Sequence, residues 1–129
     1  MKILAVDDDE SILSILQILV TRAGYDDFVT ARGGGEALEL IAKARRPFEF
    51  FLLDIDMPGM DGIEFCDLLR RLPSYADCPI VMLTAMTERK YIDQAYAAGA
   101  TDYVIKPFDV NDLTQILLGA AQRLKQVER

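Results

Sequence analysis

Histidine and tryptophan are absent from this 129-residue chain, and cysteine occurs only twice. Without histidine there can be no Ser-His-Asp triad and no His-based zinc site. Nor can a phosphohistidine form on the chain itself, so any phosphate chemistry needs another acceptor. Cys66 and Cys78 are too few and too separated for a disulfide scaffold or a CxxC redox pair, and they read as small buried hydrophobes. Basic charge is scarce too, with 14 Lys and Arg against 21 Asp and Glu and a formal charge of -7. A nucleic-acid groove needs clustered cations against the phosphates, so no nucleic-acid partner is expected. The pairs Arg45-Arg46 and Arg70-Arg71 read instead as solvated helix ends. Long apolar runs are also missing. Nothing reaches the length of a membrane span, and the opening run Ile3 to Val6 halts at Asp7-Asp8-Asp9, unlike a secretory leader. A cytoplasmic protein with no membrane partner is the expectation.

What the chain does have is material for one core: 51% of its residues are hydrophobic. Its length suits a single domain over residues 1–129. Short apolar runs alternate with longer stretches of helical period. The runs Lys2 to Val6, Phe28 to Ala31, Phe48 to Leu53, Ile80 to Leu83 and Tyr103 to Ile105 predict buried strands. Between and after them, helical stripes fall at Ile12 to Val20, Ala37 to Ile41, Ile63 to Leu69, Ile92 to Ala98 and Leu113 to Val127. Asp9 reads as a cap on the first helix, Asp61 and Glu64 as a capping box on the third, and Thr87 and Asp109 as caps on the last two. Gly24 and Gly99 sit where helices should stop. Five strand-then-helix repeats predict a parallel sheet with helices on both faces. Right-handed crossovers favour a flavodoxin-like α/β fold with strand order 2-1-3-4-5.

Four strand ends then carry reactive or charged groups: Asp7-Asp8, Asp54, Thr84 and Lys106. Ligands of open α/β sheets bind beyond the carboxyl ends of the strands, where the strand order reverses. In the order above, that point falls between the first and third strands, next to Asp7, Asp8 and Asp54. Close-set carboxylates repel one another unless something positive sits among them. Oxygen-only ligation suits Mg²⁺, with Mn²⁺ as a substitute. Each residue alone has an ordinary reading as a cap, a turn or surface; it is their alignment that points to a site.

The segments Ala5-Val6-Asp7-Asp8-Asp9, Leu53 to Gly62, Val81-Met82-Leu83-Thr84-Ala85 and Asp102 to Phe108 resemble, in order and spacing, the receiver domain of two-component response regulators. The resemblance spans essentially the whole chain. It implies that Asp54 accepts a phosphoryl group from a phosphohistidine on a sensor histidine kinase or a histidine phosphotransfer protein. Asp7, Asp8, Asp54 and the backbone carbonyl of Asp56 would hold Mg²⁺. Thr84, with the Ala85 amide nearby, and Lys106 would bind phosphoryl oxygens, and the Lys106-Pro107 bond would be cis. Thr84 and Tyr103 would form a switch that remodels a face built from the fourth helix, fifth strand and fifth helix. A downstream target protein would dock on that face. Such a chain is a signalling switch rather than an enzyme, and it would be a monomer or an activation-dependent dimer.

Several positions keep two readings. The Asp56 side chain is either an ordinary loop residue or a charge that tunes metal affinity and phosphoryl lifetime, and Met86 either packs or shields the phosphoryl group. Gly33-Gly34-Gly35 lacks the Lys-Ser or Lys-Thr of a P-loop and reads as mobile loop punctuation before the second helix. Tyr91 and Tyr96 either make the fourth helix a sticky face or simply pack, and packing is expected of Tyr96. Among functions, Asp54-Ile55-Asp56 also suits an Mg²⁺-dependent phosphatase with an aspartate nucleophile, although Pro58-Gly59 departs from that motif and no cap domain is present. A flavin module fails because Asp7-Asp8-Asp9 fills the loop that would cradle its phosphate. A receiver fragment of a longer regulator with an output domain remains an alternative.

Overall fold

The apolar runs become five parallel strands: β1 (Ile3–Val6), β2 (Phe28–Ala31), β3 (Phe50–Leu53), β4 (Ile80–Thr84) and β5 (Asp102–Ile105). Their order is β2-β1-β3-β4-β5, as the alternation of elements predicts. The helices are α1 (Glu10–Arg22), α2 (Gly34–Lys43), α3 (Gly62–Arg71), α4 (Arg89–Ala97) and α5 (Val110–Val127), with a 3-10 turn at Pro73–Tyr75. The structure, a computed structural model, describes the backbone of residues 1–127 and the side chains of residues 1–124. The expected apolar position at Val127 therefore lies outside the described side chains, and the last two residues of the expected 1–129 domain lie outside the described residues.

Continuous hydrophobicity is needed because both faces of the sheet are covered. Successive residues of one strand enter opposite layers. Ile3, Ala5, Phe50, Leu52, Val81 and Leu83 pack with α1 and α5 residues such as Leu16 and Leu117. Leu4, Val6, Phe51, Leu53 and Met82 pack with Ala37, Phe65, Leu69 and Ala95 on the other side. Phe50 and Phe51 have no exposed surface. Burying a side chain of this kind contributes about 1.5–3 kcal/mol, so truncating either to Ala costs roughly 3–5 kcal/mol.

The helix ends explain most departures from expectation. Asp9 and Asp61 do cap, accepting from the Ser11 amide at 2.9 Å and the Glu64 amide at 2.8 Å. Asp109 accepts from the Asn111 amide at 2.7 Å. The reciprocal half of the box is missing, because Glu64 lies exposed and returns no bond to the Asp61 amide. The fourth helix starts later than Thr87 suggests: Glu88 is its N-cap residue and gives no side-chain bond. The preceding loop is held in place by bonds to both backbone groups of Met86, from Thr84 and Tyr103. Gly34 and Gly35 belong to α2 rather than to a loop, and a Cβ on Gly34 would meet the Met60 sulfur at 2.8 Å. Gly24 and Gly99, with φ of 97° and 111°, end α1 and α4 as expected.

Two surface expectations also change. Arg70 is not solvated: its Nε and Nη2 donate to the Gly99 carbonyl at 3.0 and 2.6 Å, and its Nη1 donates to the Tyr75 carbonyl at 2.9 Å. It ties the end of α3 to the turn before β5. Arg45, Arg46 and Arg71 are exposed, in keeping with the prediction. Tyr96 is 47% exposed and does not pack as expected, whereas Tyr91 packs against the core, the second of its two readings. Cys66 is buried and Cys78 half-buried, both as free thiols, and burial pushes the Cys66 thiol up to about 11.

Candidate functional site

Register brings the site together. Val6 pairs with Leu53, Leu53 with Met82, and Thr84 with Ile105. The residues just beyond these pairs are still fastened to the sheet. The Asp7 amide donates to the Ala31 carbonyl at 3.1 Å, the Asp54 amide to Val6 at 2.9 Å, and the Lys106 amide to Thr84 at 2.8 Å. The strand ends therefore deliver their side chains from rigid backbone, which a flexible loop could not do.

Asp7, Asp54 and Thr84 are buried polar residues, 2%, 6% and 0% exposed. Asp8 is exposed at the rim, yet Asp7, Asp8 and Asp54 each offer a carboxylate oxygen within 4.8 Å of the others. Lys106 reaches across β3 and β4, its Nζ 2.7 Å from Asp7 Oδ2 and 3.6 Å from Asp54 Oδ2. The Lys106-Pro107 bond is cis, as the resemblance implies. Asp7 is further held by the Asp9 amide, which donates to its Oδ1 at 2.9 Å.

The electrostatics are those of crowded acids short of one positive charge. Burial raises the Asp54 carboxyl above its usual 3.8, and the Asp7 charge adds to the rise. Lys106, the Thr84 hydroxyl and the Asp56 backbone act in the lowering direction without cancelling it. Burial alone would depress Lys106, but its bond to Asp7 and the charges of Asp54 and Asp7 raise it, so it is held as a cation. Three oxygen donors with unneutralised charge are what a hard dication such as Mg²⁺ takes, and no nitrogen or sulfur ligand intrudes among them.

Asp56 has an exposed side chain, and its backbone acts to lower the Asp54 carboxyl. The Thr84 hydroxyl accepts from the Met86 amide at 3.3 Å and acts on Asp54 only by lowering its carboxyl. Tyr103 is half-buried on β5, and its hydroxyl donates to the Met86 carbonyl at 2.7 Å. Thr84 and Tyr103 thus both hold the segment leading into α4, with the Met86 side chain packed against the core between them. The expected ligands Asp7, Asp8 and Asp54 and the expected cation Lys106 fall in one cluster, and Thr84 and Tyr103 meet at Met86. An apolar hollow of about 510 Å³, lined by Phe48, Cys78 and Thr101, lies at the other end of the sheet and contains none of them.

Two contributors escaped the sequence reading. Gly62 packs so closely on the Asp54 carbonyl that a Cβ would collide with the backbone of Asp54 and Ile55. Its amide also donates to the Ile55 carbonyl at 3.0 Å, closing the loop behind Asp54. In the sequence Asp61-Gly62 reads as a helix start, and nothing local marks the close approach to Asp54. The Tyr103 hydroxyl is the second: the aromatic was legible, its partner was not.

Comparison with known proteins identifies the family and the fold. The family model for the response regulator receiver domain matches residues 3–118. The two-component response regulator ARR10 of Arabidopsis thaliana is 38% identical over 90% of this chain, which spans 20% of that protein's length. A chemotaxis protein CheY homolog of Campylobacter jejuni is 35% identical over 84% of this chain and 82% of its own. The chain therefore spans about a fifth of its plant relative and most of the chemotaxis one. The structure of Vibrio cholerae chemotaxis protein CheY4 superposes with a TM-score of 0.83 at 38% identity, covering 92% of this chain and 97% of that one.

Proposed function

This chain belongs to the response regulator receiver domain family of phosphorelay signalling, and from that premise we propose that it accepts a phosphoryl group onto Asp54. The donor is a phosphohistidine on a sensor histidine kinase or a histidine phosphotransfer protein. The observation that carries this reading is the position of Lys106, whose ammonium faces both Asp7 and Asp54 across two strands.

An ionised carboxylate oxygen of Asp54 attacks phosphorus in line with the P–N bond to the donor histidine. The O–P bond forms, the P–N bond breaks, and the imidazole nitrogen leaves with the electron pair. No general base is needed, because the nucleophile is already an anion. Lys106 offsets charge on the transferring oxygens, and the Thr84 hydroxyl donates to a phosphoryl oxygen. Asp7, Asp8, Asp54 and the Asp56 carbonyl are the ligands for Mg²⁺, or for Mn²⁺ in its place. When bound, the ion supplies the positive charge that lets an anionic phosphoryl group approach an acidic pocket. Water attack on the same phosphorus returns Asp54 to its free state, so the chain catalyses only its own modification.

The aspartyl phosphate adds negative charge and three acceptor oxygens beside Thr84 and Lys106. Thr84 and Tyr103 both grip Met86, so a shift of one is felt by the other. That couples the site to the face of α4, β5 and α5, where a downstream target docks, with the chain acting as a monomer or as a dimer formed on activation. Residues 1–129 act as one receiver domain in the cytoplasm. Among the described residues no helix is long and apolar enough to cross a membrane.

Incubating the protein with Mg²⁺ and a small phosphodonor tests the reading by intact mass. One added phosphate is expected for the native chain and none for Asp54→Asn. An unchanged native mass would contradict it.

A further inference from the structure

Beside β5, the edge strand of the sheet, runs a groove of about 600 Å³ between that strand and α5. Tyr103, Ile105, Pro107 and Ile116 give it an apolar wall, and Asp109 and Asp112 line it with carboxylates. Ile105, in the groove wall, is 40% exposed, and Val110, next to Asp109 in the chain, is 49% exposed. From Asp102 to Asp112 the single cation is Lys106, and it is turned inward to Asp7. Asp102, Asp109 and Asp112 make no ion pair among the described residues. On neighbouring α4, Arg89 is engaged by Asp93 at 3.0 Å and Lys90 by Glu88 at 3.6 Å, so neither answers these carboxylates.

Unpaired negative charge around exposed aliphatic surface specifies its complement. We propose that this groove takes a partner segment in which an aliphatic anchor is flanked by Lys or Arg. The inference rests on the receiver reading above and names the chemistry of the partner it leaves open. The anchor buries against Ile105 and Ile116, while the cations meet Asp109 and Asp112 at the rim, where they set selectivity and association rate more than affinity. Tyr103 forms one wall of the groove and also holds the Met86 carbonyl, so a change at Thr84 alters the groove's shape directly.

The test uses the full chain, with and without Mg²⁺ and a small phosphodonor, and two short fluorescent peptides. One has a Leu-Ile core flanked by Lys and Arg; the other has Glu in their place. The basic peptide should bind more tightly after phosphorylation and weaken as salt is added. Its acidic counterpart should not bind. Changing Asp109→Asn and Asp112→Asn together, with the side-chain oxygen at position 109 still able to accept from the Asn111 amide, should weaken the basic peptide about 3- to 10-fold at low salt, as expected for exposed charge pairs, with phosphate uptake at Asp54 unchanged. Ile105→Ser, at an exposed position, should weaken it without altering salt dependence. Equal binding of the two peptides, or no loss in the neutralised variant, would overturn the proposal while leaving the receiver reading intact. Self-association in place of peptide binding would overturn it in favour of a second copy. Failure of Asp54 to take up phosphate would remove the reading beneath it.

Discussion

Lys106 Nζ lies 2.7 Å from Asp7 Oδ2, nearly an ångström nearer than it lies to Asp54 at 3.6 Å. The ammonium is thus parked on Asp7, and Asp54 keeps a carboxylate only partly neutralised. Replacing Lys106 with Met should leave Asp7 buried without its cation, and losing one partner of a buried pair costs roughly 3 kcal/mol. Chemical denaturation would show a lower midpoint at unchanged slope, and phosphate uptake should fall by at least tenfold. The alkaline limb supplies a control. A raised lysine stabilises the fold fully below its unfolded value of 10.5 and loses that contribution as pH climbs through the higher folded value. The native protein should show this loss and the Met variant should not.

Asp54→Asn should act in the opposite sense. Because the folded carboxyl titrates above 3.8, the fold holds its proton more tightly than the unfolded chain does. That contribution is complete below 3.8 and is lost as pH rises through the folded value. Ionised Asp54 therefore burdens the fold at neutral pH. The Asn variant should melt at a higher temperature than the native protein at pH 7, and the gap should close as pH falls toward 3.8. Thermal melts across that range decide the sign.

Relief of the same crowding predicts a response to metal. Adding Mg²⁺ at about 100 times its dissociation constant stabilises a one-site protein by about 2.7 kcal/mol. The native Tm should rise with Mg²⁺ and return on chelation. Asp8→Ala, at an exposed position, should blunt the response with little effect on the metal-free melt.

Gly62 presses on Asp54 from behind. Gly62→Ala puts a methyl group into the Asp54 carbonyl, and the obstacle is backbone, not a flexible side chain. Overpacking of this kind costs roughly 1–3 kcal/mol, and phosphate uptake should drop far more than stability alone explains. Comparing uptake at a temperature where both proteins are fully folded separates the two effects.

Tyr103→Phe removes only the hydroxyl bonded to Met86 at 2.7 Å. The loss should be about 1 kcal/mol or less. Phosphate uptake should be near native, while the response of the α4–β5–α5 face, followed by amide chemical shifts, should be reduced.

Much of this was readable from the chain because buried parallel strands must be apolar throughout. The sharp transitions Val6-Asp7, Leu53-Asp54 and Ile105-Lys106 then mark the strand ends without ambiguity. The caps at Asp9 and Asp61 were legible for a similar reason, since an Asx cap acts within a few residues. What eluded the sequence depends on distant partners. Thr87 has the chemistry of a cap, but Tyr103, 17 positions from Met86, helps hold the loop and α4 begins later. Arg70 looks like any helix-end cation until the Gly99 carbonyl, 29 residues on, is brought beside it. Gly62 reads as a helix start because only the folded chain presses it against Asp54.

The central claim is a covalent bond between phosphorus and one named oxygen-bearing side chain. Borohydride reduces an acyl phosphate to the alcohol, so trapping the phosphodonor-treated protein and sequencing its peptides by mass spectrometry marks the modified position. Homoserine at position 54, and only in samples that contained Mg²⁺, is the predicted result. Homoserine at position 7, 8 or 56 instead, or none at all, would contradict the account.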